Sequence, residues 1–409
     1  MAKVKSNTLR AQAYKNLKIE SNRKSILCLD GGGMRGILTI QLLKKLEKLA
    51  GIPCYELFDM VAGTSTGGII AGLIVTGHTA EQMEELYKEL VNEVFDHRFL
   101  GDRFLNPPAF NKKKYRSILK EKINDITLEQ ACLKQQIDLM ITSQDLSAAE
   151  ETFFSCFVQE DGSCYGTYKN VLLRAVMEAT MSAPTYFNPL ERFVDGGTTT
   201  YNNPTMAAFI EATSFSSPRQ FERDGTEIKR IPIYNLKELS IFSFGTGISR
   251  NFLQPLEAMD PKGIDIKFWL DWIMTATGQD ASAMQTDAFR SKLVSSVIDF
   301  RRFQISIDPD ALHKIPNING LDKEKYKHEW LWDLEEKTLG HIDMADVTKF
   351  DLMTVIGAQM AEYIEKQGGA FTRDLCGANG RDALVTASGD VTRIQTQLSD
   401  AKWLDSFTT

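Results

Sequence analysis

The sequence predicts an α/β protein with a mostly parallel central sheet, and two observations favour this fold class. Residues 25–29 and 57–62 are short, nearly continuous apolar runs, which are typical of strands buried on both faces of a parallel sheet. Between them, leucines recur at helical spacing until Gly51 and Pro53 end the segment. The order strand, turn, helix, strand is the pattern of a βαβ unit.

Further elements continue this alternation along the chain. Strands are predicted at residues 137–141, 152–158, 192–195, 239–244 and 303–307. Helices are predicted at residues 80–94, 115–121, 170–181, 204–213, 266–276 and 349–365. The sequence contains no internal repeat.

Changes in composition divide the chain into three parts. Residues 1–24 carry seven Lys and Arg against one Glu, and we expect a solvated, weakly structured basic arm there, with a contact to anionic lipid as the alternative. Residues 25–365 hold the predicted α/β domain. After residue 365 the sequence turns to Gly, Asp, Thr and Ser, which indicates a C-terminal extension of uncertain order at 366–409.

The overall composition argues against several classes of protein. The 409 residues are 43% hydrophobic and 25% charged, which suits a globular protein with a sizeable core. A formal net charge of −7 argues against a general nucleic-acid-binding protein. The six cysteines show neither CxxC spacing nor a metal-ligand pattern with histidine, so we expect free thiols and no metal site.

Nothing in the sequence resembles a membrane-spanning segment. Residues 60–77 carry no charge, but glycine, threonine and serine interrupt the stretch before it reaches the length of a membrane helix. The first 24 residues lack the apolar core of a signal peptide. We therefore expect a cytoplasmic protein.

A glycine-rich turn, DGGGMRG, occupies residues 30–36 between the first strand and the first helix. Such glycines let backbone N–H groups approach an anion at a helix N-terminus. Gly31, Gly33 and Gly36 fit the GxGxxG pattern, and Asp59 follows at about the distance of the ribose-binding acid in dinucleotide folds. A pyrophosphate and a tetrahedral oxyanion both suit this turn, so on its own it leaves both interpretations open.

A second turn, GTSTGG at residues 63–68, directly follows the 57–62 run. It matches GxSxG, the nucleophile elbow, in which a sharp strand-to-helix turn presents a serine and requires small neighbours. The apolar segment 69–75 suits the helix that such an elbow needs. The predicted elbow comprises Gly63, Thr64, Ser65, Thr66, Gly67 and Gly68.

A serine nucleophile needs a base, and none of the five histidines lies in a glycine-flanked turn or directly after an apolar strand. Asp195 ends the apolar run 192–195 and precedes Gly196 and Gly197, which permit close approach. Asp-Gly-Gly is also ordinary turn chemistry, so this assignment has a structural alternative. The histidines are His78, His97, His313, His328 and His341.

Together these segments resemble the patatin-like phospholipases. The similarity lies in DGGGMRG at 30–36, GTSTGG at 63–68 and VDGG at 194–197, in that order. ATMSAPTYF at 179–187, LSIFSFGTG at 239–247 and the helix around 350–360 are also similar to segments of that family. The resemblance spans about residues 24–365, and the joint pattern is specific where each motif alone is weak. One departure is Met181-Ser182, where the family often has Ser-Ala.

The resemblance implies a three-layer α/β/α fold and a Ser-Asp dyad in place of a triad. Ser65 matches the family's nucleophile and Asp195 its base, which removes the need for a histidine. The implied activity is a metal-independent hydrolysis of fatty-acyl esters of glycerophospholipids or lysophospholipids through an acyl-enzyme, without a cofactor. The oxyanion loop would comprise Gly31, Gly32, Gly33, Arg35 and Gly36, with Arg35 in the family's basic position.

Further expectations follow from this chemistry. A lone carboxylate with an ordinary pKa is a poor base for a hydroxyl, so we expect the site either to desolvate Asp195 and raise its pKa or to rely heavily on the oxyanion hole. A lipid substrate implies peripheral membrane contact, for which the aromatic segment 94–110 and the lysines at 112–114 are candidates, although the same rings could pack beneath a loop. An activating partner or nucleotide second messenger, as in some bacterial relatives, is also compatible with the resemblance.

Three other functions fit parts of the pattern. A Ser-His-Asp carboxylesterase of the α/β-hydrolase class would depend on one of the histidines and not on Asp195 alone. A dinucleotide-binding oxidoreductase would use the glycine turn for a pyrophosphate. A non-catalytic lipid-binding protein is disfavoured because Ser65 and Asp195 are both present.

Overall fold

One sheet with mostly parallel strands forms the centre of the protein. The computed structural model describes residues 2–94, 112–157, 168–184, 186–219, 226–227, 234–248, 266–304, 307, 309–332, 346–366 and 371. The strands within these ranges are β1 (Lys24–Leu29), β2 (Met60–Thr64), β3 (Asp138–Asp145), β4 (Glu150–Ser155), β5 (Phe193–Asp195), β6 (Leu239–Phe244) and β7 (Asp299–Phe303). Their order is β4-β3-β2-β1-β6-β7. The strands β4 and β5 pair antiparallel with β3, and the other pairs are parallel.

Helices cover both faces of this sheet. Leu27 and Leu29 of β1 belong to one apolar cluster, and Ile26 and Cys28, which point the other way, belong to a second. The helices are α1 (Ala2–Asn16), α2 (Gly36–Ala50), α3 (Cys54–Leu57), α4 (Thr66–Val75), α5 (Ala80–Val94), α6 (Lys113–Ile123), α7 (Leu128–Gln135), α8 (Leu173–Thr180), α9 (Thr205–Ser214), α10 (Ile266–Arg290), α11 (Lys292–Ser295), α12 (Pro309–Leu312) and α13 (Phe350–Lys366).

The first cluster contains buried residues of α2, α4, α5, α8 and α13, and the second contains buried residues of α9 and α10. The protein is therefore a three-layer α/β/α sandwich, and the predicted fold class is confirmed. The predicted bounds at 80–94 and 239–244 agree with α5 and β6. The strand predicted at 57–62 begins later, because Leu57 ends the short helix α3.

The strand predicted at 303–307 was placed wrongly. The structure has β7 at Asp299–Phe303, and residues 305 and 306 lie outside the described part of the chain. The prediction failed because Arg301 and Arg302 interrupt the apolar pattern that marks a buried strand. Both side chains are nevertheless 2% exposed, since each guanidinium group finds partners inside the protein.

The expectation of a weakly structured N-terminal arm is also wrong. Ala2–Asn16 form the helix α1. Tyr14 near its end and Leu17 just after it are buried in the core. The reason is a specific partner for one of the basic side chains. Arg10 Nη2 lies 2.6 Å from Oδ2 of the fully buried Asp59, which also accepts a hydrogen bond from Ser25 N. The boundary at residue 25 between arm and domain stays a prediction.

Beyond α13, Phe371 packs into the core. Its ring centroid lies 4.9 Å from that of Phe303, and its carbonyl accepts a hydrogen bond of 2.7 Å from Arg301 Nη1. The remaining residues of the predicted 366–409 extension, apart from Lys366, lie outside the described residues. Among the helices that the structure describes, none combines the length and the apolar character needed to cross a membrane.

Candidate active site

The register of the sheet brings Ser65 and Asp195 together. Strand β4 pairs along one edge of β3. Because a strand has only two edges, β2 and β5 share the other: β2 pairs as far as Thr142, and β5 continues at Ser143, opposite Asp195. Thr64 and Asp195 thus lie opposite the consecutive β3 residues Thr142 and Ser143. This register brings Ser65, the residue after Thr64, next to Asp195 although 130 residues separate them.

Ser65 occupies a strained turn between β2 and α4. Its φ of 53° and ψ of −122° lie in a region that non-glycine residues rarely adopt, at a cost of about 1–3 kcal/mol. A Cβ atom at Gly63 would lie 2.2 Å from Gly67 O, and one at Gly67 would lie 2.2 Å from Leu29 O. A Cβ atom at Gly68 would lie 2.8 Å from a threonine methyl group of α8. This is the geometry of a nucleophile elbow.

Threonine hydroxyl groups hold the elbow in place. Thr180 Oγ1 accepts a hydrogen bond of 2.8 Å from Ser65 N and donates one of 2.7 Å to Thr142 O. Thr64 Oγ1 donates to Tyr201 O at 2.7 Å. Thr180 is fully buried, and sequence reasoning missed its role although it lies within the ATMSAPTYF segment.

Asp195 is a buried carboxylate directed at the serine. Its Oδ2 accepts a hydrogen bond of 2.6 Å from Ser65 Oγ, and its Oδ1 accepts one of 2.7 Å from Gly197 N. The residue is 4% exposed. Desolvation is the largest influence and raises the pKa of Asp195 to about 6, although both hydrogen bonds oppose the rise. The turn after Asp195 has no space for a side chain at Gly196, because a Cβ atom there would lie 2.3 Å from Thr142 Oγ1.

The DGGGMRG turn lies beside this pair, and its three glycine amides are not equivalent. Gly31 N already donates to Asn202 O at 3.1 Å. Among the described residues, neither Gly32 N nor Gly33 N donates to a backbone carbonyl outside a helix or strand. Gly33, with φ of 57°, lines a pocket together with Ser65. The amides of Gly32 and Gly33, and not that of Gly31, are therefore the candidates for binding an oxyanion.

The rest of the turn packs against the start of α4. Arg35 is half-buried, and its Nε donates to Gly32 O at 3.4 Å. A Cβ atom at Gly36 would lie 2.5 Å from Thr66 Oγ1. The hydroxyl of Tyr87 on α5 bonds to Thr66 Oγ1 and also donates to Gly33 O in the turn. Tyr87, which sequence reasoning missed, therefore connects the glycine turn to the elbow.

An apolar pocket begins at the Ser65–Asp195 pair. Its walls come from α4, α5, α6 and the segment 181–187. The hydroxyl of Tyr115 donates to Met177 O, so its polar atom is satisfied outside the pocket. The lining residues are Gly33, Ser65, Thr66, Ile69, Tyr87, Leu90, Val91, Val94, Tyr115, Met181, Ala183, Tyr186, Phe187 and Asp195.

The residues that would support other chemistries lie elsewhere. Asp59, the candidate ribose-binding acid, precedes β2 at the opposite end of the strand from Ser65 and pairs with Arg10. Of the histidines that the structure describes, none lines the pocket, and His78 and His313 bond to groups that do not line it either. In the described ranges, no group of three His, Cys, Asp or Glu side chains could hold a metal ion.

The fold and this site define an α/β/α protein in which an elbow serine faces a buried aspartate. Residues 27–209 match the family model for the patatin-like phospholipases. Over these residues the chain is similar to the patatin-like phospholipases.

Three relatives illustrate the similarity. The chain is 31% identical over 236 residues to the 85/88 kDa calcium-independent phospholipase A2 of Rattus norvegicus, which covers 55% of this chain and 27% of that protein. It is 32% identical over 200 residues to the cUMP-AMP-activated phospholipase of Escherichia coli, covering 46% of this chain and 58% of the relative. It is 24% identical over 314 residues to Patatin-17 of Solanum cardiophyllum, covering 70% and 76%. The chain thus spans only about a quarter of the mammalian relative's length.

Proposed function

We propose that the protein is a metal-independent lipid acyl hydrolase of phospholipase A type, which cleaves fatty-acyl esters of glycerophospholipids or lysophospholipids. The observation that carries the proposal is the hydrogen bond of 2.6 Å from Ser65 Oγ to the buried carboxylate of Asp195, beside an apolar pocket. The names of the three relatives, two phospholipases and a patatin, support this class of substrate.

In this proposal Ser65 is the nucleophile and Asp195 the base. Ser65 Oγ attacks the ester carbonyl carbon while its proton moves to Asp195 Oδ2, and the carbonyl oxygen becomes an oxyanion. The Gly32 and Gly33 amides donate to that oxyanion. When the tetrahedral intermediate collapses, the departing alcohol takes the proton from Asp195. Water then attacks the acyl-Ser65 ester with Asp195 again as base, which releases the fatty acid and restores the serine.

Burial makes this aspartate a better base than an exposed one. A base works best when its pKa lies near the working pH, and desolvation raises the pKa of Asp195 to about 6. The oxyanion amides then supply the larger part of the transition-state stabilisation.

The pocket suits an acyl chain and not a polar head group. Side chains such as Leu90, Val91 and Val94 on α5 present hydrocarbon to it, and each is at most 4% exposed. A buried acyl chain gains about 0.8 kcal/mol for each methylene group removed from water. A charged head group in the same place would lose its hydration without a partner.

Val91→Phe should therefore shift the preference for acyl-chain length. The larger ring fills the pocket from α5, so we expect kcat/KM for a long-chain ester to fall at least about tenfold, the value of some two methylene groups of lost contact. A butyrate ester of the same alcohol is the internal control and should lose less than about threefold. An equal loss for both esters would mean that the acyl chain binds elsewhere.

Labelling with a fluorophosphonate tests the proposed function most directly. The reagent should modify Ser65 and block the release of fatty acid from phosphatidylcholine or lysophosphatidylcholine in mixed micelles, with full activity in EDTA. The Ser65→Ala variant should be neither labelled nor active, whereas Ser155→Ala, at a buried serine on β4, should still be labelled. Loss of wild-type activity in EDTA, or hydrolysis by Ser65→Ala, would contradict the proposal.

We also propose that the protein contacts the lipid surface peripherally, because a substrate that is insoluble in water has to be reached there. The aromatic segment 95–110 lies outside the described residues. Lys112 cannot take part as expected, because it is 7% exposed and its Nζ donates to Ser182 Oγ at 2.6 Å. Lys114 is 65% exposed and pairs with Glu93. Sedimentation of wild type and a Phe99→Ser, Phe104→Ser variant with anionic vesicles measures this contact, and undiminished binding would remove the segment from it.

A further inference from the structure

Arg302 is a buried cation below the glycine turn that sequence reasoning missed. Its Nη1 donates to Asp30 Oδ1 at 2.8 Å and its Nη2 to Asp30 Oδ2 at 2.5 Å. The side chains of Arg302 and Asp30 are 2% and 5% exposed. Two parallel charge-assisted hydrogen bonds fix both the distance and the orientation of a carboxylate. The pair joins β7 to the residue that immediately precedes Gly31.

The backbone around Asp30 is fixed on the other side as well. Asp30 N donates to Phe244 O at 3.0 Å, and Gly31 N donates to Asn202 O at 3.1 Å. Thr246 Oγ1 donates to Gly31 O at 2.7 Å. The orientation of the Gly32 amide, the next along the chain, therefore depends on how Asp30 and Gly31 are held.

Arg302 also contacts the elements that support the loop after Asp195. Its Nη1 donates to Ser243 Oγ at 2.8 Å, and that hydroxyl lies 2.8 Å from Thr205 Oγ1. Its Nη2 donates to Ser282 Oγ at 3.3 Å, which also accepts from Asn203 Nδ2 at 3.1 Å. The guanidinium group therefore bonds directly to Asp30 in the glycine turn. Through two serine hydroxyl groups it is also connected to Asn203 and Thr205, which follow Asp195 in the chain.

We propose that Arg302, acting through Asp30, is a positioning residue that aligns the Gly32 and Gly33 amides with the carbonyl that Ser65 attacks. The inference rests on the proposed function. Neither Arg302 nor Asp30 lines the pocket, so their effect on the reaction passes through the backbone of the turn. A displacement of about 1 Å at a reacting centre costs on the order of 10²-fold in rate, which is why a rigid support matters here.

Arg302→Lys separates geometry from charge. Lysine keeps the positive charge beside Asp30 but is a point donor that cannot make two parallel bonds to a carboxylate. Arg301→Lys is the matched control, since Arg301 is adjacent, equally buried and points to the opposite face of the sheet. Arg301 donates to Asp299 and to the carbonyl oxygens of Leu17 and Phe371, none of which belongs to the glycine turn.

The test compares kcat, KM and the rate of fluorophosphonate labelling for wild type and both variants, each measured well below its own melting temperature. We expect Arg302→Lys to lower kcat and the labelling rate about 10- to 10²-fold with KM within about threefold. Arg301→Lys should lower the melting temperature and leave kcat within about threefold. Unchanged kcat in folded Arg302→Lys, or equal losses in both variants, would overturn the proposal.

Ser243→Ala keeps the proposal testable if Arg302→Lys does not fold. It removes one acceptor that orients the guanidinium group and leaves the ion pair intact. We expect a several-fold lower kcat with unchanged KM, and wild-type kcat would overturn the proposal. The wild-type protein separates this question from the proposed function: if it neither hydrolyses lipid esters nor reacts with the fluorophosphonate, the proposed function fails and not the positioning.

Discussion

Asp195→Asn is expected to lower kcat on acyl esters by about 10²–10⁴-fold, the contribution of a positioned general base. The amide has nearly the same shape, and its oxygen can still accept the hydrogen bond from Gly197 N, so the fold should persist. It cannot take the Ser65 proton, however. KM should stay within a few-fold because the apolar pocket is unchanged.

Steady-state kinetics on a micellar substrate measure this loss, with melting curves to establish folding. Asp145→Asn is the matched control, because Asp145 ends the neighbouring strand β3 but pairs with Arg192 and does not line the pocket. That variant should keep kcat within about threefold. If Asp195→Asn retained more than about a tenth of the wild-type kcat, Asp195 would not be the base.

The same aspartate gives a pH dependence with a defined sign. The ionised carboxylate is the active form, and burial raises its pKa to about 6, so kcat/KM should increase with pH up to about 6 and level off above it. Stability should change in the opposite sense. A carboxyl group whose folded pKa exceeds its ordinary value of 3.8 stabilises the fold below that value, and this contribution is lost as pH rises through about 6. Asp195→Asn should lose both effects.

Most residues of the candidate site could be predicted from the sequence because they form local patterns. Gly63 and Gly67 flank Ser65 because the turn has no room for Cβ atoms, and that requirement leaves a readable spacing. The Asp-Gly-Gly segment at 195–197 has the same origin, since Gly196 lies against Thr142. Motifs of this kind are legible because a few adjacent residues meet a steric demand within one turn of chain.

Polar pairs between distant parts of the chain leave no such pattern in the sequence. Arg302 bonds to Asp30 across 272 residues, and Arg10 to Asp59 across 49, so neither pairing follows from spacing. Without those partners, two adjacent arginines argue against a buried strand and a basic N-terminus argues for a solvated arm. The structure reverses both interpretations, because a paired cation can be buried where an unpaired one cannot.

Gly63→Ala should lower kcat by at least about 10²-fold, because the added methyl group displaces the nucleophile Ser65. The added Cβ atom would lie 2.2 Å from Gly67 O, 2.4 Å from Gly67 C and 2.6 Å from Gly68 N, all of them backbone atoms that no side-chain rotation can move. The φ of Gly63 is not positive, so alanine is excluded there by space and not by backbone conformation. The elbow must therefore shift, and the oxygen of Ser65 with it.

Gly278→Ala makes the comparison decisive, because the same substitution falls on a position in helix α10 where, among the described residues beyond the helix's own nearby backbone, no atom lies within 4 Å of the added Cβ. Alanine there should raise the free energy of unfolding by about 0.5–1 kcal/mol and leave kcat unchanged. Gly63→Ala should instead lower the melting temperature and abolish fluorophosphonate labelling. Wild-type labelling of Gly63→Ala would mean that the reactive serine does not depend on the tight turn, and the elbow would then lose its role in the mechanism.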